Sequence, residues 1–357
     1  MYKEDQASDV RKDELIDLEP LQDYLSKNLN NSSRLELLQY PSGYSNLTYL
    51  LKMGDQGMVL RRPPYGANIK SGHDMHREFK ILSALKGHFS KAPLPIIFCD
   101  DKTIIGEEFY IMEKVNGTIF RGLQPKSEWP KTNLMPSLVK SFVNTFSEIH
   151  SLKIKEIGLQ DFGRPEGYVI RQVKGWIKRY NNAKTHDYLA VNKTINWLSK
   201  NIPDSSEASL IHNDFKFDNL MFEIGDKTNV NAVLDWEMAT IGDPLMDLGT
   251  SLGYWIHDTD PEMIQNLNLN ITHLKGTPSR EELVHMYGEH SGRSVQNILF
   301  YFVFGLFKIA GIIQQIYYRY KTGHTKDPRF KELDKGVKLL GKMALQAIQK
   351  RKIDHLF

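Results

Sequence analysis

The spacing of apolar residues changes along the chain, and each change predicts a different kind of element. Between Leu15 and Leu29, Leu18, Leu21 and Leu25 recur at helical intervals, which predicts a first amphipathic helix. Short apolar runs follow at Leu35–Tyr40, Leu47–Met53 and Met58–Arg61. Pro41-Ser42-Gly43 and Gly54-Asp55-Gln56-Gly57 separate them, and both are turn chemistry, so the runs predict an antiparallel meander. Met75, Phe79, Leu82 and Leu85 then line one face of a helix that stops near Gly87. Leu94–Cys99 and Phe109–Val115 predict two further strands, after which Asn116-Gly117 punctuates the chain. From Lys131 onward helical patterns dominate, broken by short strands predicted near Ser209–Ile211, Leu220–Phe222 and Ala232–Leu234. The expected organisation is α+β. A flexible charged tail over 1–14 precedes a small antiparallel-sheet lobe over 15–115. A hinge near Glu113–Gly117 leads into a large, mainly helical lobe over 116–357.

Composition narrows the function classes. The 357 residues are 41% hydrophobic and 25% charged, enough to bury a large core without disulfides or a structural metal. Cys99 is the only cysteine, which excludes an internal disulfide and a cysteine-built zinc site and fits a reducing, cytoplasmic compartment. Met1 to Lys12 is polar throughout and has no secretory pattern. The most apolar window, Ile298–Ile313, is interrupted by Gly305 and Lys308, and reads as a buried core helix rather than a membrane span. The net charge of +3 is spread along the chain, so no nucleic-acid partner is expected. The spread is uneven, however. From Gly292 to the end there are thirteen Lys and Arg against four Asp and Glu.

The strongest chemical signal is His212-Asn213-Asp214-Phe215-Lys216-Phe217-Asp218-Asn219, followed by Val233-Leu234-Asp235-Trp236-Glu237. Phosphoryl transfer needs positioning and charge neutralisation more than covalent help. A His-x-Asp with Asn five residues after the Asp places a base, Asp214, and a metal ligand, Asn219, on one tight loop. Asp235, at the end of an apolar strand, supplies a second metal carboxylate. Oxygen ligands of this kind suit Mg²⁺. Ser42-Gly43-Tyr44-Ser45-Asn46, between the first two strands, can offer N–H groups and hydroxyls to phosphate.

The octet resembles the catalytic loop of the aminoglycoside phosphotransferase and choline kinase family, relatives of the protein kinases. Asp235-Trp236-Glu237 stands where protein kinases have Asp-Phe-Gly, and Gly242-Asp243-Pro244-Leu245-Met246-Asp247-Leu248 also resembles the family. The resemblance implies a two-lobed kinase-like fold, with ATP and Mg²⁺ between the lobes and a small-molecule hydroxyl as acceptor. It implies that His212 supports the loop and that Asp247 braces it. Ser45 and Asn46 fall in the nucleotide-binding loop, and Met112, Glu113 and Val115 on the hinge strand that would bind adenine. Kinases carry a Lys on the third strand to hold the α- and β-phosphates. Here Arg61 occupies that slot, with Glu78 seventeen residues on to pair with it.

Phe162-Gly163-Arg164-Pro165-Glu166-Gly167-Tyr168 and Phe304-Gly305-Leu306-Phe307-Lys308-Ile309-Ala310-Gly311 resemble one branch of the family. That branch includes the kinase-like domains fused to certain acyl-CoA dehydrogenases, in which Arg in the third-strand slot is usual. The fused relatives are associated with 4-hydroxyacyl-CoA phosphorylation. Polycationic aminoglycosides would call for an acidic pocket, so the basic excess after Gly292 favours an anionic acceptor. An aminoglycoside or other small amino-alcohol kinase and a nucleotide-binding pseudokinase are the alternatives. The histidines form no His-Glu-x-x-His cluster, and neither a Gly-x-Ser-x-Gly elbow nor a Walker-type loop is present.

Overall fold

Ten strands and eleven α-helices make up the computed structural model, which describes residues 5–40, 46–64, 74–204, 207–223 and 228–357. The strands are β1 (Leu35–Gln39), β2 (Leu47–Met53), β3 (Gln56–Arg62), β4 (Pro95–Cys99), β5 (Phe109–Glu113), β6 (Thr118–Ile119), β7 (Ser209–Ile211), β8 (Leu220–Phe222), β9 (Val230–Val233) and β10 (Thr240–Gly242). The helices are α1 (Leu18–Leu29), α2 (Met75–Leu85), α3 (Lys102–Ile105), α4 (Met135–Ser151), α5 (Tyr168–Ala183), α6 (Leu189–Lys200), α7 (Pro244–Tyr254), α8 (Glu262–Gln265), α9 (Arg280–Ser291), α10 (Ile298–Lys321) and α11 (Leu333–Lys350). Packing divides the chain into Met1–Ile119 with Asn219–Ala239, and Phe120–Asp218 with Thr240–Phe357.

The first unit is built on a five-stranded antiparallel sheet ordered β1-β2-β3-β5-β4. Gly54, at φ +61°, turns β2 into β3, with Met53 opposite Gln56. Tyr49, Leu51 and Met53 share one face of β2 and meet Met58 and Leu60 of β3 in a core closed by Leu21 and Leu25 of α1. Asp74 caps α2 by accepting from Arg77 N at 2.8 Å.

Two expectations are corrected in this unit. Residues 5–14 do not trail away as a loose tail. Ser8 bridges Gln39 at the sheet edge, Arg11 N donates to Gln39 Oε1 at 3.0 Å, and Tyr49 OH donates to Glu14 O at 2.8 Å. A charged segment is thus held because its backbone satisfies an otherwise open strand edge. The division also falls after Ile119 rather than at 115/116, and residues 219–239 pack with the first unit. The cause is pairing: Thr118 and Ile119 lie opposite Phe222 and Met221, and β8 in turn pairs with β9. The small sheet packs Ile119, Met221 and Ala232 together with Val115 and Leu234.

The second unit is helical apart from the β7–β10 pair. Its central element is α10, whose residues from Phe300 to Gly311 are continuously buried. By length and composition this helix could cross a membrane, yet 72% of its apolar window is buried inside the protein. Gly249 of α7 and Gly305 of α10 let the two backbones touch. A Cβ built on Gly305 would lie 1.9 Å from Gly249 O. Arg280, fully buried at the start of α9, is held between Asp260 and Asp354, tying the C-terminal segment to the helices.

Candidate active site

The loop that leaves β7 is fixed by one carboxylate. Asp243 caps α7 through Leu245 N at 2.7 Å and Pro244 opens the helix, which brings Asp247 of its first turn up to the loop. Asp247 Oδ2 accepts from His212 N at 2.6 Å, and Oδ1 accepts from Asn213 N at 2.7 Å. A third partner is His150 Nε2 at 3.2 Å, while His150 Nδ1 faces Tyr287 OH at 2.7 Å. With Nε2 carrying the proton, the imidazole donates to Asp247 and accepts from the tyrosine. Burial alone would raise the Asp247 carboxyl. The hydrogen bond and electrostatic pull of His150, with the electrostatic pull and N–H of His212, more than offset it and hold Asp247 below the usual carboxylate range.

Beyond that brace the chain reverses. Asn213 has φ +68°, a left-handed conformation suited to Asn. Its carbonyl accepts from Lys308 Nζ at 2.8 Å and its side chain meets Tyr168 OH at 3.2 Å. Asp214 N donates to His212 Nδ1 at 3.3 Å, so the buried imidazole supports the turn. Asp214 Oδ2 lies 2.8 Å from Lys216 Nζ, and that ammonium rests 4.7 Å from the Tyr254 ring centre. Ser251 of α7 completes the support by donating to Phe215 O at 2.7 Å.

A second constellation lies in the first unit and centres on Arg61. On β3, Arg61 is buried, and its Nη1 reaches Glu78 Oε1 of α2 at 2.6 Å. Its Nη2 reaches Asp235 Oδ1 at 2.9 Å and Glu237 Oε2 at 3.5 Å. Asn46 Nδ2 donates to the same Glu237 oxygen at 2.6 Å, and Trp236 N donates to Glu78 Oε1 at 3.1 Å. Burial pushes the Glu78 carboxyl up to about 7 against the pull of Arg61. Burial also works against the Arg61 charge, but Glu78, Tyr110, Asp235 and Glu237 together raise its pKa well above the ordinary value. Asn46, Arg61, Glu78 and Asp235 are therefore brought together.

Leu234 N donates to Asn219 O at 2.9 Å where β8 and β9 pair, so the backbone of Asn219 lies beside the residue that precedes Asp235. The side-chain oxygens of Asn219 and Asp235 suit a hard cation, and one arginine among three carboxylates leaves surplus negative charge. Among the described residues, no cluster of three His, Cys, Asp or Glu could hold a metal by itself. The fit is to an ion that brings most of its oxygens from phosphate and water, as Mg²⁺ does. Asp235, with its side chain 32% exposed, is open to such an ion. Met112 and Glu113 lie on β5, and the N–H and carboxylate of Glu113 are both engaged with the backbone of Leu94. Val115 packs against the small sheet. Ser45 lies outside the described residues.

Sequence reasoning passed over His150, Lys308, Lys216 and Glu237. His150 meets Asp247 across 97 positions, and nothing local marks it. Lys308 carried a usable signal, the one lysine within the apolar run Ile298–Ile313.

The fold is α+β and kinase-like, and the chain is a phosphotransferase. The chain belongs to the phosphotransferase enzyme family, whose model matches residues 36–282. It is 35% identical over 357 residues to acyl-CoA dehydrogenase family member 11 of Gallus gallus, matching 97% of this chain and 45% of that protein. The chain thus spans about half the length of that relative. A crystal structure of a candidate aminoglycoside phosphotransferase from Ralstonia eutropha superposes with a TM-score of 0.79 at 28% identity, covering 94% of this chain and 99% of that one. Spectinomycin phosphotransferase, solved with ADP and spectinomycin, gives a TM-score of 0.61 at 14% identity over 92% and 98% of the two chains, a likeness of fold alone.

Proposed function

We propose that this chain is a cytoplasmic, ATP- and Mg²⁺-dependent phosphotransferase acting on a hydroxyl of a small anionic molecule, with a hydroxyacyl-CoA as the first candidate. The observation that carries the reading is the loop pinned by Asp247, which presents Asp214 on a backbone held at His212 and Asn213. Bound Mg²⁺–ATP would supply the phosphoryl group and the charge that neutralises it. Asp214 accepts the proton of the attacking hydroxyl, and Lys216 orients Asp214. His212 supports the loop and Asp247 braces it. Arg61, steadied by Glu78, grips phosphate oxygens, and Asn219 and Asp235 hold the metal. Asn46 serves the nucleotide from the loop that includes Ser45, and Met112, Glu113 and Val115 lie on the adenine side. The ADP complex of spectinomycin phosphotransferase supports an adenine nucleotide.

The anionic acceptor rests on helix α5. Arg171, Lys174, Lys178 and Arg179 are exposed on it, and it contains no Asp or Glu. Its first residue, Tyr168, touches Asn213 of the catalytic loop. A CoA thioester carries charge of the matching sign, and the acyl-CoA dehydrogenase name of the relatives points to the same chemistry.

The test is an acceptor panel with Mg²⁺–ATP, read by ADP release and by ³¹P detection of a phosphate monoester. Turnover on hydroxyacyl-CoAs supports the proposal. Turnover confined to aminoglycosides or choline-like amino alcohols moves the acceptor to that class. Nucleotide binding with no transfer to any acceptor makes the chain a pseudokinase.

A further inference from the structure

Lys308 is a buried cation in an apolar helix, only 3% exposed, and its place follows from the glycines around it. Because Gly249 and Gly305 allow α7 and α10 to touch, the residue one turn beyond Gly305 is carried under the catalytic loop. Its ammonium donates to Asn213 O at 2.8 Å and lies 3.5 Å from Thr250 Oγ1, with the Trp176 ring centre at 5.9 Å. Asn213 is thus held on both sides of its Cα: Asp247 takes the N–H and Lys308 takes the carbonyl of the peptide leading into Asp214. A hydrophobic side chain of equal length would fill the same space at lower desolvation cost.

We propose that Lys308 is a positioning residue, a proton-dependent clamp on the Asn213–Asp214 peptide that sets where Asp214 stands. This rests on Asp214 being the catalytic base of the proposed phosphotransferase. The groups facing the ammonium are Asp214 and Lys216 from the loop, Asp247 from α7 and Arg179 from α5. Burial pulls the Lys308 pKa down to about 8 even though Asp214 and Asp247 favour the charged form. The clamp is therefore charged at neutral pH and discharges as pH rises through about 8. A neutral amine donates a weaker bond to the carbonyl, so the loop loosens. The protein as a whole responds in the opposite sense. An unfolded lysine keeps its proton to about 10.5, so the folded state gains stability from this group as pH rises from about 8.

The test is backbone amide exchange of residues 212–217, corrected for intrinsic rates, between pH 6.5 and 9.5, in the full chain and in Lys308→Met and Lys308→Arg. Wild-type loop protection should fall about tenfold across pH 8, the difference between a charge-assisted and a neutral hydrogen bond. Lys308→Met should show low protection at every pH, with α7 and α10 amides unchanged. Lys308→Arg should remain protected with no step near 8. Equal protection in wild type and Lys308→Met at pH 6.5 overturns the clamp. If that variant fails to fold, a wild-type profile without a step across pH 8 overturns it alone. Should wild type transfer phosphate to no acceptor, the phosphotransferase reading falls while amide exchange still decides the clamp. With an acceptor in hand, kcat should drop in Lys308→Met and KM for ATP should not.

Discussion

Arg61 Nη2 stands 2.9 Å from Asp235 Oδ1, so the residue proposed to grip phosphate is tied directly to the residue proposed to hold the metal. The same guanidinium holds Glu78 at 2.6 Å through its other nitrogen. A planar fork can serve two carboxylates at once, and a lysine ammonium at the same point cannot reproduce both directions. Arg61→Lys should raise KM for ATP on the order of tenfold, the worth of one charge-assisted hydrogen bond, with a smaller effect on the acceptor. Arg61→Met should cost about 3–5 kcal/mol of stability, because Glu78 would remain buried without its cation. Urea titration of the two variants separates these outcomes.

Glu78 gives that cluster a pH dependence. Its carboxyl is raised by burial from an ordinary 4.5 to about 7, despite the opposing pull of Arg61. Between those values the folded chain keeps a proton that the unfolded chain has lost. The stabilising contribution is complete below about 4.5 and disappears as pH rises through about 7. Wild-type stability relative to Glu78→Gln should therefore decline from pH 5 to pH 7.5. Chemical denaturation at four pH values measures the slope, and a difference that grows with pH would contradict the assignment.

Asp214 and Asp247 should separate chemistry from architecture. Asp214→Asn removes the proton acceptor and should lower turnover by about 10²–10⁴-fold while Mg²⁺–ATP binding persists. Asp247→Ala strands the N–H groups of His212 and Asn213 and removes the partner of His150. It should cost about 2–5 kcal/mol and, through displacement of Asp214, about a hundredfold in turnover. Thermal unfolding beside turnover tells the two apart: the first variant should keep the wild-type Tm and the second should not.

The α+β class, the meander and the polar octet His212–Asn219 were legible because each rests on short-range signals. Leu47–Met53 and Gln56–Arg62 alternate around a glycine turn, and His212, Asp214 and Asn219 share one loop. What was not legible depends on long-range pairing. Nothing in Asp5–Glu14 announces that its backbone will occupy a strand edge at Gln39, and nothing near His150 announces Asp247. The segment 219–239 joins the first unit through the partnership of Thr118 with Phe222, two residues more than a hundred positions apart. Lys308 was visible only as an interruption. Its meaning required knowing that Gly249 and Gly305 bring two helices into backbone contact.

That contact yields a paired prediction. At Gly305 a methyl group would meet Gly249 O at 1.9 Å, and Thr250 Cα lies 3.1 Å away, so the obstruction is backbone that no rotamer change can clear. Gly305→Ala must push α10 off α7, at about 1–3 kcal/mol for overpacking. It should also withdraw Lys308 from Asn213 O and lower turnover without touching any site residue. Gly336 on α11 offers the contrast. A methyl there meets only side-chain carbons of Ile313 and Leu267 at 3.7–3.8 Å, an ordinary contact. Gly336→Ala should stabilise the protein by about 0.5–1 kcal/mol through helix propensity and leave turnover unchanged. Unfolding midpoints and loop amide exchange on both variants test the pair. If Gly305→Ala left the exchange of residues 212–217 at the wild-type rate, the loop would not depend on the approach of α10.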